Sequence, residues 1–298
     1  MSPDYSVQMR FYPPPEDLRG YFTTFYVSTI DPGSNGTLRD SLHPEWGGMR
    51  FFTPNGPDAW TDSGQRLNNV RFFAQGPSSH PIHFDMPKTR MWGFGLLPLG
   101  WARFVRQPAA EFANHICDGF EHPDCKPFRP LAESLFDGDD NEQAELERLI
   151  AFFRAFKSGN RIDEKRILAI HAAMVDPQLT TVQELVERAA ASQRTVERLS
   201  YKHFGFSPKL LLRRQRFMRS LAQFMIDPSL KWIGAMDGHY HDQAQFVRDF
   251  HEFMGMTPRE YSNQPHPVLE RFVQERNKAY GAAVQTLDRP SAVGTEAA

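Results

Sequence analysis

Two clusters in the first half of the chain have the residue types of a metal site. His115, Cys117, His122 and Cys125 place four nitrogen and sulfur donors within eleven residues. That set is chemically able to close a tetrahedral zinc site. Its spacing lacks the paired C-x2-C or H-x3-H steps of common zinc modules, and the segment reads as a loop. Surface histidines beside buried thiols are the plainer reading, and nothing in the sequence supports a redox role for the two thiols. His80 and His83 with Asp85 form a second set, without the H-x-H-then-Glu spacing of β-barrel metal sites. The reading commits to no metal and no cofactor. No G-x-S-x-G, P-loop or H-E-x-x-H occurs, and the acids and histidines show no catalytic spacing, so the chain does not read as an enzyme.

The remaining reactive chemistry is cationic. Between Val182 and Leu221 stand nine cations, Arg188, Arg194, Arg198, Lys202, Lys209, Arg213, Arg214, Arg216 and Arg219, against three glutamates. That local balance of +6 sits in a chain of net charge −2. A basic face on an otherwise acidic protein is what phosphate binding requires.

The elements that would position these charges form a repeat offset by fifty residues. Ser192 answers to Asp242, Gln193 to Gln243, Val196 to Phe246 and Arg198 to Arg248. Phe204-Gly205-Phe206-Ser207-Pro208 answers to Met254-Gly255-Met256-Thr257-Pro258. Repetition of this kind marks a repeated structural unit. Thr181 and Glu184 make a capping box ahead of an apolar stripe at Val182, Leu185, Val186 and Ala189. Ser192 then caps a second helix, and Gly205 is placed to end it in a left-handed turn. Helix, tight break and helix is the helix-turn-helix pattern. The second copy repeats it around Trp232, Ile233, Asp242 and Phe246. Ser207 and Pro208 start a connecting helix to about Ile226, a rod of roughly 28 Å. Successive major-groove faces of a duplex lie roughly 34 Å apart, so such a rod could seat both second helices in adjacent grooves.

Residues 165–262 resemble the two-helix-turn-helix DNA-binding domain of the AraC/XylS family of bacterial transcription regulators. The resemblance is carried by Ser192 to Leu199, Phe204 to Pro208, Arg213 to Arg216, Tyr240 to Phe250 and Gly255 to Tyr261. One departure is His239, where the family usually has Gly before the aromatic. The resemblance implies base reading by Gln193, Arg194 and Arg198 in the first unit and by Gln243, Gln245 and Arg248 in the second. Arg grips guanine O6 and N7 with two donors, and Gln does the same at adenine N6 and N7. Lys202, Lys209, Arg213 and Arg214 are assigned to phosphate, which positions without specifying. For Arg198 and Arg248 the alternative is a structural ion pair.

From about Gly20 to Arg106 the texture is β, with strands expected at 21–30, 49–53, 67–74 and 91–99 between Gly- and Pro-rich turns. The expected fold class is α+β: a small N-terminal β-barrel or sandwich (cupin-like), a linker helix and an all-α C-terminal domain with two helix-turn-helix motifs joined by a long helix. The expected boundaries are 1–138 for the β-rich regulatory domain, 139–160 for the linker or dimerisation helix, 161–264 for the DNA-binding domain and 265–298 for a partly disordered extension. In many members of the family such an N-terminal half binds an effector. Trp46, Trp60, Phe73, Trp92 and Phe94 are the candidate pocket residues, each of them also a candidate for ordinary core. The apolar stripe Leu146, Leu149, Ile150, Phe153 and Phe156 either joins two copies or packs on its own sandwich. The implied partners are double-stranded DNA, a second copy of the chain, an unnamed small molecule and, for an activator, RNA polymerase. Two cysteines, no apolar h-region near the start and no bilayer-length run fit a cytoplasmic protein without a membrane partner. Two other readings stay open: a catalytic β-barrel fused to a DNA-binding module, and an effector-independent regulator whose first half only dimerises.

Arg198→Ala is expected to weaken binding to a specific site by about 1–3 kcal/mol while leaving random-sequence DNA less affected. Fluorescence anisotropy on the two DNAs measures both, and equal losses would remove Arg198 from base reading.

Overall fold

The structure, a computed structural model, describes residues 4–138, 141–159 and 162–291. Among them ten strands precede the main helical half. They are β1 Ser6–Tyr12, β2 Phe22–Asp31, β3 Leu38–Leu42, β4 Gly48–Thr53, β5 Asp58–Thr61, β6 Arg66–Leu67, β7 Phe72–Gln75, β8 Ile82–Met86, β9 Thr89–Leu96 and β10 Ile116–Asp118. They form a six-stranded antiparallel sheet in the order β1-β2-β9-β4-β7-β10 and a four-stranded antiparallel sheet in the order β3-β8-β5-β6. The fold class is α+β, as expected.

Side chains of the large sheet alternate between two buried layers. Phe25, Val27, Phe51, Trp92 and Phe94 point to one, and Tyr26, Ile30, Phe52, Phe73 and Met91 to the other. The second layer meets Leu38, Ala59, Ile82, Phe84 and Met86 of the small sheet. The first layer is covered by helices, α1 Pro98–Phe104, α2 Arg129–Ser134 and α3 Glu142–Ala155. Burial on both faces fits β2, whose aromatic, β-branched and small residues show no alternation with charged ones.

The α3 stripe is spent inside the molecule. Leu146, Leu149 and Phe153 enter the first layer, with Ile150, Phe152 and Phe156 packed beside them. Phe153 meets Phe22 and Phe94 with ring centroids 4.6 and 5.1 Å apart. Glu145, 1 % exposed, accepts from Arg90 Nη1 at 2.7 Å, Arg90 Nη2 at 2.5 Å and Trp92 Nε1 at 2.7 Å. Removing one partner of so buried a pair strands the other charge. Of the two uses open to this stripe, the structure takes packing on its own sandwich. Of the expected linker 139–160, residues 139, 140 and 160 lie outside the described residues.

The helical half continues with α4 Glu164–Val175, α5 Val182–Arg188, α6 Gln193–Leu199, α7 Pro208–Ile226, α8 Lys231–Ala235, α9 Gln243–Met254, α10 Pro258–Ser262 and α11 Leu269–Tyr280. It shares one core with the sandwich. Trp46, Leu97, Leu99 and Ala102 cluster with Ile167, Ile170, Leu185, Val196, Leu199 and Phe204. The described part of the extension packs on the sandwich: Thr23 Oγ1 donates to Gln285 Oε1 at 2.9 Å, and Arg276 binds Asp288 through both carboxylate oxygens. Only residues 292–298 of that extension lie outside the described ones. No helix among the described residues is long and apolar enough to cross a membrane.

Two histidines sit in the joints between the halves. His171 lies between Trp46 and Phe204, and the Nε2 of His43 pairs with Tyr261 Oη at 2.8 Å. Burial pushes each pKa from 6.5 down to about 3. Between those values the unfolded chain takes up protons that the folded chain refuses, so stability falls as pH falls through the window. The melting temperature is expected to decline on acidification from pH 6.5, as each ring loses on the order of a few kcal/mol of stability at full effect. His171→Gln should flatten that decline; an unchanged slope would assign it to other groups.

Candidate nucleic-acid interface and interior cavity

Each reading unit is built by local rules. Thr181 and Glu184 close a reciprocal capping box at the start of α5. Ala190 turns the chain with φ 46°, and Ser192 Oγ accepts from Thr195 N to start α6. The helix widens into a π-turn at Ser200–Phe204 and stops at Gly205, whose φ of 88° suits glycine. In the second unit Asp242 caps Gln245 N at 2.7 Å, and α9 stops at Gly255 with φ 68°. The turn before it tolerates His239 because that residue is not among those with positive φ. Asp237 organises it instead, accepting from His239 N at 2.9 Å and pairing with Arg219 at 2.5 Å. The nineteen residues of α7 separate the units, a length of about 28 Å at the helical rise.

Gln193, Arg194 and Arg198 lie exposed on α6, and Gln243 and Arg248 lie exposed on α9. Among the described residues none of the three arginines makes an ion pair, although the Asp163 carboxyl, held below its usual range chiefly by its hydrogen bond from Arg166, also feels the charge of Arg198. Gln193 reaches Glu197 at 2.9 Å, a surface contact it can exchange. Gln245 differs: it is half-buried, and its Oε1 accepts from His241 N at 3.1 Å. Its carbonyl serves the helix start. Tyr201, 49 % exposed in the π-turn that follows α6, and Val247, 41 % exposed on α9, were missed by the sequence reading. Their signal was an apolar residue on the outer face of a helix whose inner face was already full.

The four phosphate candidates divide. Lys202 and Lys209 are exposed. Arg213 is tied to Asp249 at 2.6 Å and to Glu252 Oε1 at 3.1 Å, which joins α7 to α9. Arg214 is a correction. It is 0 % exposed and stacks on Trp46, its guanidinium carbon 4.4 Å from the ring centroid. Its Nη1 donates to Ser78 O at 2.8 Å. Burial lowers its pKa to about 9. No phosphate can reach it. With Arg216 on Asp249, Arg219 on Asp237 and Arg188 on Asp176, five of the nine basic residues serve the protein itself. The surface charge offered by the first unit is therefore Arg194, Arg198, Lys202 and Lys209.

The candidate pocket residues divide as well. A cavity of about 70 Å³ lies between the sheets, walled by Met9, Phe52, Phe73, Ile82, Phe84 and Met91. Met218 of α7, Leu269, Phe272 and Val273 of α11, and Val284 close it from the helical half. Of the five aromatic candidates only Phe73 lines it. Trp46 forms the joint under Arg214, and Trp92 and Phe94 fill the helix-covered layer. Trp60 stacks on His83 outside the small sheet, with Arg39 and Arg66 over its ring. The polar wall of the cavity was missed. It holds Tyr26, His43, Glu45 and Arg50, and Arg50 donates to Glu45 at 2.6 Å and Gln75 at 2.8 Å. A lone cation inside the apolar strand β4 was the available signal. The second metal set does not converge: Asp85 holds Arg39 in two 2.8 Å bonds, and His83 faces Asp62 at 3.1 Å.

A family model described as a helix-turn-helix domain matches residues 185–264. No curated protein matches the chain. Among solved structures, ToxT from Vibrio cholerae O395 is similar at 8% identity and TM-score 0.41, over 87% of this chain and 96% of that one. The same protein bound to (E)-4-(8-methylnaphthalen-1-yl)but-3-enoic acid is similar at 10% identity and TM-score 0.43, over 86% and 98%. The AraC-like transcriptional activator CuxR is similar at 10% identity and TM-score 0.32, over 74% and 82%.

Arg214→Ala is expected to cost about 2 kcal/mol of stability through its lost hydrogen bonds and ring contact. DNA affinity of the folded fraction should stay unchanged. Thermal melting and anisotropy measure the two effects separately; weaker binding with an unchanged melt would return Arg214 to the DNA surface.

Proposed function

We propose that this chain, whose residues 185–264 match a helix-turn-helix family model, is a DNA-binding transcription regulator of the AraC type that reads two adjacent major-groove faces under control of a small molecule. The observation that carries the reading is the division among the arginines. Arg194, Arg198 and Arg248 stay exposed and unpaired by any described carboxylate, while their neighbours are consumed inside. Gln193, Arg194 and Arg198 read one face; Gln243 and Arg248 read the next. Lys202 and Lys209 hold phosphate and fix register. Gln245 reads a base only by giving up its place at the start of α9.

Effector control is supported by the walls of the cavity. One side is sandwich, the other is α7, α11 and the 283–285 segment. At about 70 Å³ it is smaller than the void of about 150 Å³ that holds benzene. A ligand therefore enters by displacing the α11 cover rather than by filling standing space. Its apolar wall and the Arg50–Glu45 pair suit an amphipathic molecule. Such a ligand binds the displaced state better and so shifts the population of docked reading units. A second copy, joined through a surface other than the buried α3 stripe, and RNA polymerase at activated promoters complete the reading, in the cytoplasm.

Selection of bound genomic DNA yields the site, and a panel of small amphipathic metabolites is then screened for thermal shift and altered affinity. Ala283→Phe, which fills the cavity, is expected to abolish any ligand-induced change while the protein still binds its site. A ligand response that survives this substitution would place the effector elsewhere.

A further inference from the structure

Three of the four nitrogen and sulfur donors noted in the sequence come together in space. Cys117 lies on β10, at the edge of the large sheet. His122 caps the 3-10 turn Pro123–Phe128, and Cys125 sits within that turn. One ligand atom from each lies within 4.8 Å of the other two. The two sulfurs are 3.9 Å apart. Ligands about 2.3 Å from zinc across a tetrahedral angle stand roughly 3.8 Å apart. A disulfide would need them at about 2.05 Å. The pair already stands at the separation of two thiolates on one cation. The H-x2-C step supplies nitrogen and sulfur from a single turn, and Cys117 of β10, five residues before His122, brings the second sulfur.

We propose that Cys117, His122 and Cys125 bind a soft divalent cation, Zn²⁺, with a water in the fourth position. Binding forms two metal–sulfur bonds and one metal–nitrogen bond and releases the two thiol protons to solvent. Both thiols are buried, and the side chain of His122 is 27 % exposed, which leaves the fourth position on the solvent side. The ion ties the edge strand β10 to the turn that starts α2. Cys125 shares its core with Phe128 and with Phe153 of α3, so the tie fastens the helical cover of the sandwich. His115 stays outside the set: its Nδ1 is engaged by Gln65, and its ring centroid lies 6.0 Å from that of His122.

The full-length protein, purified under reducing conditions, is expected to carry one zinc per chain by elemental analysis. Replacing zinc with Co²⁺ should give a thiolate charge-transfer band and the strong visible bands of a tetrahedral site. Cys117→Ser, Cys125→Ser and His122→Ala should each weaken or abolish those bands, and His83→Ala should retain them. Chelation should lower the melting temperature, and added Zn²⁺ should restore it. Reduced wild-type protein that takes up no Co²⁺ would overturn the proposal without recourse to any variant. So would a cobalt spectrum unchanged in Cys125→Ser, or a Cys117–Cys125 disulfide that persists through reduction and leaves metal uptake intact.

Discussion

The stacking of Arg214 on Trp46 holds the two halves of the molecule together. Trp46 comes from the sandwich, and Arg214 from the connecting helix between the reading units. Around them His171, Phe204 and Phe206 close the contact, so that the guanidinium is out of water. A buried charge without a carboxylate is costly, and its hydrogen bond to Ser78 together with the ring face offsets that cost only in this geometry. This joint, with the His43–Tyr261 and Thr23–Gln285 contacts, fixes the helical half relative to the sandwich. Separation of the halves would expose Trp46 and return Arg214 to solvent.

The cavity stands beside the same seam. Met218 lies on α7 only four residues beyond Arg214, and it faces the space between the sheets. Movement of α11 or of the 283–285 segment would thus be felt by the helix that spaces the two units. Asp40 secures the beginning of α11, accepting from Val268 N at 2.9 Å and Leu269 N at 2.8 Å. Under the effector control proposed above, this shared wall is the route by which a ligand between the sheets would bias the spacing helix.

Much of the helical half was legible because its signals are local. Caps at Thr181, Ser192, Ser207 and Asp242, glycines at 205 and 255, and the fifty-residue repeat each act within a turn or two, and each appears in the structure. Strands were harder. The runs at 21–30 and 49–53 match β2 and β4 closely, but 67–74 divides into β6 and β7, and 91–99 ends in α1. β3 and β8 escaped because Arg39, Asp40, His83 and Asp85 break their apolar character. Those residues face across strands, where pairing decides the matter and sequence distance conceals it. Site residues followed the same division. The exposed arginines of α6 and α9 were readable from helical phase. The burial of Arg214 was not, because it depends on a tryptophan 168 residues away. The cavity wall at Tyr26 and Arg50 depends in turn on which sheet face each strand presents.

The most direct measurement is a chemical footprint of the full-length protein on a genomic site it selects. Two reading heads on a rod of about 28 Å should protect two major-groove patches on one face of the duplex, roughly 34 Å apart. A single protected patch, or two on opposite faces, would contradict the account.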